Sequence, residues 1–189
     1  MSFLNSIAHV IARLKRGCQV IFLLLLSGLL CFSASTAAAQ EVSEYRLKVA
    51  FLYNFIAYTH WPHPIDDSLT VCIHGENPFG DNLRYLQERK INDANILIRH
   101  TREIEEVFAC QVIFIAKSAT GNLNEILNQI GNKPILTITD SVNAIQQGVV
   151  INMTVKGEKV VFDADIHAAH EKKLQLNSQL LRFANKVYQ

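Results

Sequence analysis

The spacing of hydrophobic positions changes three times along this chain, and each change marks a different kind of segment. An apolar run fills residues 20–30, interrupted only by Ser27 and Gly28. From residue 41 the period becomes helical. Tyr45, Val49, Leu52 and Ile56 recur at i, i+4 and i+7 spacing, which predicts a helix over residues 41–58. Leu47, Phe51 and Phe55 give that helix a second apolar face, the pattern of a helix packed between elements or at a subunit contact. Trp61-Pro62-His63-Pro64 ends it, because proline cannot continue a helix and restricts the residue before it.

Beyond the prolines, short apolar runs alternate with helical stretches. Strands are predicted at residues 69–74, 95–99, 111–116 and 134–138. The first intervening helix spans 77–89, with Asn77 as cap and Pro78 at its first position. A short acidic helix opens at Thr101, where Glu103 and Glu105 suit the positive end. A third covers 120–130, with Leu123, Ile126, Leu127 and Ile130 on one face and Gly131 closing it. Strands separated this way imply βαβ units and a parallel sheet. The pattern then shifts again. Residues 149–155 and 159–163 flank Lys156-Gly157-Glu158, which reads as a hairpin turn. Helical sequence follows from Asp165, broken near 174–177 and resuming to Val187. The expected fold is α/β: a mixed, mainly parallel sheet flanked by helices, with an antiparallel C-terminal hairpin edge. There are no repeats and no linker, so residues 40–189 are read as one domain.

The first apolar run changes the picture of where this domain works. Arg13, Lys15 and Arg16 precede it, and Ala37-Ala38-Ala39 follows it. Residues 1–39 thus read as a secretory signal peptide cleaved before Gln40. The run is shorter than the roughly 20 residues a membrane helix needs. Lipidation at Cys31 is disfavoured by the large Leu30 before it. The whole chain has 18 Lys plus Arg and 17 Asp plus Glu, and the leader takes three bases and no acid. The mature charge is therefore −2, interspersed and without a basic stripe, which argues against nucleic acid as a partner. Cys18 and Cys31 leave with the leader. Cys72 and Cys110 remain as an even pair in an oxidising compartment and are expected to form a disulfide; two buried thiols are the alternative.

Candidate chemistry is sparse. His60, His63 and His74 match no established metal spacing. His167, His170 and Glu171, with Asp163 and Asp165 just before them, could share a helix face, but a helix start with acids at its N-terminus and solvated residues behind is the preferred reading. Gly75-Glu76-Asn77-Pro78-Phe79-Gly80 lacks both the G-x-G-x-x-G spacing and the lysine of a phosphate loop. No nucleophile elbow and no H-E-x-x-H helix occur. The residues thus point away from an enzyme, and no cofactor or metal is implied.

The run Tyr45-Arg46-Leu47-Lys48-Val49-Ala50-Phe51-Leu52-Tyr53-Asn54-Phe55-Ile56, followed by Trp61-Pro62, resembles the opening of the YfiR-like periplasmic family. Val71-Cys72-Ile73-His74-Gly75, Asn77-Pro78-Phe79-Gly80, Cys110-Gln111-Val112-Ile113-Phe114-Ile115 and Pro134-Ile135-Leu136-Thr137-Ile138-Thr139-Asp140 continue it in order. Gly148, Ile151-Asn152-Met153 and residues 176–184 complete it. The resemblance implies a periplasmic, non-catalytic repressor. It would bind the periplasmic domain of an inner-membrane diguanylate cyclase, lower cyclic di-GMP and limit biofilm. It also implies a homodimer, sequestration by an outer-membrane lipoprotein, and a disulfide at Cys72 and Cys110. A second cysteine pair expected around 142–152 is missing, so a redox role carried by such a bridge does not transfer. Tyr53, Phe55, Trp61 and Pro62 are the candidate partner or dimer interface. The alternative function is a periplasmic small-ligand sensor without a cyclase partner, using a cleft at the carboxyl ends of the parallel strands. A metal-dependent or hydrolytic enzyme built on His167 and His170 is a third.

Overall fold

Residues that alternate between two buried environments build the centre of this protein. The computed structural model describes residues 34–157 and 159–189, with side chains from Glu44 onward. The charged and apolar parts of the expected signal peptide, with Cys18 and Cys31, lie outside the described residues. Among the described residues no helix is long and apolar enough to cross a membrane. Contacts group Glu44–Gln189 into one unit. The body described below is Glu44–Gln189.

Helix α1 (Ala34–Ala57) comes first. Strand β1 (Thr59–His60) leads into β2 (Ser68–His74), followed by β3 (Lys90–Ile91), β4 (Ala94–Thr101), β5 (Val112–Ile115) and β6 (Leu136–Thr139). The hairpin β7 (Ile151–Lys156) and β8 (Lys159–Asp165) comes next, then β9 (Gln175–Leu176) and β10 (Lys186–Tyr188). The main sheet runs β10-β8-β7-β6-β5-β2-β4-β3. The ladder from β4 through β2, β5 and β6 to β7 is parallel, and β7 and β8 pair antiparallel. The fold is the expected mixed, mainly parallel sheet with the antiparallel hairpin at its C-terminal edge.

Every residue of β5 and β6 is buried; β5 accordingly reads as an unbroken apolar run, whereas in β6 Leu136 and Ile138 alternate with the buried Thr137 and Thr139. Alternate residues still serve different layers. Val71, Ile73, Val112 and Phe114 face one cluster with Leu52, Phe55, Phe79 and Phe162. Cys72, Ile113 and Ile115 face the other, with Leu123, Ile126 and Ile130 of α3 (Leu123–Ile130). Tyr45, Val49, Leu52 and Ile56 are buried as the helical period predicts. Burying side chains of this size contributes roughly 1.5–3 kcal/mol each.

Three sequence expectations need correction. The helix expected over 77–89 is a 3-10 turn, Gly80–Leu83, running into α2 (Arg84–Gln87). Asn77 does not cap it. Its Oδ1 accepts the Phe79 N–H at 2.9 Å, a local turn that competes with helix, and Gly80 holds a left-handed φ of 53°. Thr101 ends β4 instead of opening a helix. The acidic 3-10 segment Ile104–Ala109 starts from a capping box between Glu103 and Glu106. The C-terminal segment is not helical to Val187. Helices α4 (Ile166–Glu171) and α5 (Ser178–Leu181) are short, and β10 pairs parallel to β8. The reason is an open strand flank. Asn185 N–H donates to Phe162 O at 2.8 Å and starts that pairing. A two-residue ribbon of β1 with β9 was not foreseen either.

Candidate functional site

The two ends of the parallel sheet differ in chemistry. At the amino ends of the strands lies a groove of about 280 Å3. Trp61, Pro62, Pro64, Phe108, Lys133 and Pro134 line it, with Cys110 against them. Proline is frequent here because these segments leave or enter strands where no ladder donor is needed. The Lys133 Nζ sits 4.5 Å from the centre of the half-exposed Phe108 ring. The Trp61 Nε1 is buried and has no hydrogen-bond partner among the described residues. Cys72 and Cys110 form a disulfide with Cα atoms 6.0 Å apart, tying the middle of β2 to the residue that closes the Ile104–Ala109 turn.

The structure separates the four interface candidates. Trp61 and Pro62 both line the groove. Tyr53 does not; its hydroxyl donates to the Lys90 carbonyl at 3.3 Å, with Arg89 over its ring. Phe55 must be withdrawn from any surface role in this fold. It has no exposed area and packs edge-on against Phe162 at 4.8 Å, because α1 turns that face into the sheet.

At the carboxyl ends lies a charged cluster that sequence reasoning missed. Lys48 is 1% exposed, and its Nζ donates to Asp140 Oδ2 at 2.6 Å and pairs with Glu44. The Tyr45 hydroxyl donates to the same oxygen at 3.1 Å, and Lys117 Nζ lies 3.7 Å from it. Asp140 Oδ1 has no partner among the described residues. Two signals could have revealed this cluster. Lys48 falls within the buried stripe of α1, between Tyr45 and Leu52, and Asp140 is the first acid after the apolar run of β6. A lysine in a core stripe needs a buried anion.

At the carboxyl ends of β2 and β4, His74 Nδ1 lies 3.1 Å from Thr101 Oγ1. Burial holds the His74 imidazole below its ordinary pKa, against the opposing pull of Glu106 and Glu103. Glu106 is held below the usual carboxylate range because it accepts the backbone N–H groups of Arg102 and Glu103. The Gly75–Gly80 turn is occupied by internal bonding: the Glu76 N–H donates to Ser118 Oγ at 2.8 Å. A Cβ on Gly75 would lie 2.7 Å from that same hydroxyl.

The histidines weighed as metal ligands are not brought together, and among the described residues no three His, Cys, Asp or Glu side chains converge. His167 and Glu171 share a helix face on α4 but are exposed and 4.0 Å apart. Asp165 caps that helix, accepting the Ala168 N–H at 2.8 Å.

A family profile described as YfiR/HmsC-like matches residues 45–185. The chain belongs to that family. Members of that family are periplasmic regulators. No curated protein matches. Among solved structures, a conserved domain protein from Vibrio cholerae O1 biovar El Tor is similar at 8% identity and a TM-score of 0.47, over 76% of this chain. The chain spans 60% of that structure's length.

Proposed function

We propose that this YfiR/HmsC-like protein is a periplasmic repressor that binds the periplasmic domain of an inner-membrane diguanylate cyclase and holds it inactive. Cyclic di-GMP and biofilm formation fall as a result. The observation that carries the reading, beside the family, is the amino-end groove with Trp61 in its wall. An interface core wants an aromatic anchor in a desolvated recess, and Trp is the residue most enriched there. Lys133 at the groove calls for a carboxylate on the partner. The occupant that fits is an extended acidic-apolar segment of the cyclase's periplasmic domain. A soluble protein can gate a membrane enzyme only by binding one of its conformations better than the other. A coupling of about 1–3 kcal/mol is a typical magnitude. The signal peptide delivers the chain to that compartment. Homodimerisation and capture by an outer-membrane lipoprotein complete the proposal.

The test is deletion of the gene with intracellular cyclic di-GMP as readout, complemented by wild type, by Trp61→Ala with Phe108→Ala, and by Cys72→Ser with Cys110→Ser. Cyclic di-GMP is expected to rise on deletion and fall with wild type but not with the groove variant at equal protein level. No rise on deletion, with a candidate cyclase expressed, would sink the repressor reading.

A further inference from the structure

We propose that the segment Ile104–Ala109 is an acid-responsive strap: a proton on His74 beneath it opens the strap, moves Phe108 out of the groove wall and weakens the hold on the partner. The effect on affinity rests on the repressor reading; the motion of the strap does not. The segment links the two ends of the sheet. It starts from the capping box between Glu103 and Glu106, just after the carboxyl end of β4. It ends at Cys110, which the disulfide ties to Cys72. Phe108, two residues before that tether, lines the amino-end groove. His74 and Cys72 are two positions apart on β2 and share a sheet face, and Val107 packs there with Cys72. A separate cavity of about 670 Å3, lined by Lys48, Lys117, Asp140 and Thr154, opens at the carboxyl ends of β5 and β6, and no strap residue lines it.

The strap is loosely held. Its 3-10 hydrogen bonds have poorer geometry than those of an α-helix, and the Glu106 N–H reaches Glu103 O only at 3.3 Å. Val107 is its one buried side chain, whereas Glu105, Glu106, Phe108 and Ala109 are exposed. Segments with so few buried contacts open far more readily than the whole fold, which makes this the element able to take a second arrangement. His74 supplies the reason to take it. The residue is 6% exposed, and among the described residues its ring meets only Thr101 Oγ1. A protonated ring donates from both nitrogens and needs a second acceptor. Glu106 spends only Oε2 on the Arg102 and Glu103 N–H groups, so its Oε1 is uncommitted. Opening also lets solvent reach the ring from the cavity of about 900 Å3 walled by Gly75, Thr101, Glu103 and Glu106. Burial opposes the charge on His74, while Glu106 and Glu103 favour it. The other charged groups on this side are Arg99, His100 and Arg102 of β4 and the loop after it, and Glu76 in the turn after β2. Strand β5 presents the apolar Ile115 and then Ala116, with Lys117 beyond. In the closed arrangement burial prevails, so the ring stays neutral above 6.5 and takes its proton below that value as the strap opens.

The experiment is an NMR titration of the purified mature protein from about pH 8 to about pH 5, following the His74 ring and the strap amides together. The amides of Ile104–Ala109 and the Phe108 ring are expected to shift with the midpoint of the His74 ring, below 6.5, while Ile113 and Phe114 of β5 stay in place. His74→Gln still offers Thr101 a hydrogen bond but carries no proton to titrate, and should abolish the shift. Affinity for the cyclase periplasmic domain is then measured at about pH 7.5 and about pH 5.5. Wild type is expected to weaken about fivefold or more, and His74→Gln less than about twofold. His63 of the groove is common to both proteins, so the difference between them isolates His74. Strap shifts that do not follow the His74 ring, or that survive His74→Gln, would overturn the proposal, as would wild-type affinity that holds in acid. The wild-type titration decides the matter even where His74→Gln fails to fold. Absence of binding at either pH would sink the repressor reading instead, and the strap titration then judges the motion by itself.

Discussion

Lys48 and Asp140 carry more energetic weight than any other polar pair among the described residues. Both side chains are 1% exposed, so each has lost its water and holds the other in compensation. Removing one partner leaves an uncompensated charge in the core. Asp140→Ala is therefore expected to destabilise the fold by about 3–5 kcal/mol in urea unfolding, with Lys48→Met plus Asp140→Leu recovering most of that loss. Glu44→Gln should change little, because Glu44 is partly in water. His74 gives a second residue-scale effect, with a definite sign. Its folded pKa lies below the ordinary 6.5, so the unfolded chain takes the extra proton. Stability is full above about pH 6.5 and falls as pH drops toward the folded value. Glu106 acts lower: its contribution is present above its ordinary 4.5 and is lost as pH falls through its depressed value. Urea midpoints of wild type should decline from pH 6.5 toward 4.5, and His74→Gln should flatten that stretch while leaving the steeper acid fall. Neither pairing was legible beforehand. Lys48 meets Asp140 across 92 positions of chain, and no local pattern encodes such a partner.

At the scale of elements, legibility follows the source of the signal. Strands β5 and β6 and helix α3 were readable because their apolar residues repeat at the period of the structure they form. The helix over 77–89 was misread because Asn77-Pro78 signals both a helix start and a turn, and the Asn77 side chain settled on the Phe79 N–H. Strand β10 was misread because three residues cannot declare a strand; it exists only because β8 offers an open flank. The disulfide was legible from parity and compartment, and it staples two elements 38 positions apart. Cys72→Ser with Cys110→Ser should destabilise the protein by about 4 kcal/mol in the chain-entropy account. A helix end gives a smaller effect. Asp165→Ala removes the cap of α4 and should cost about 1 kcal/mol, read from the urea midpoint.

At the scale of the whole molecule, the amino-end groove and the carboxyl-end cavity stand on opposite sides of one rigid layer. Gln111 touches the groove and Lys117 the cavity, so the two are roughly 20 Å apart at the usual strand rise. Between them β5 is buried on both faces and paired on both sides. A strand held that way has no second arrangement to adopt, and coupling between sites requires an element with two. The groove and the cavity should therefore act independently. Trp61→Ala with Phe108→Ala is expected to weaken binding of the cyclase periplasmic domain by about 30-fold or more, measured where the variant is folded, since Trp61 also packs against the core and its loss lowers the urea midpoint. Thr154→Val at the carboxyl-end cavity should leave that affinity within about twofold. Titrating the cyclase domain against wild type and both variants decides the point. A change beyond about fivefold for the cavity variant would mean that the sheet transmits a signal.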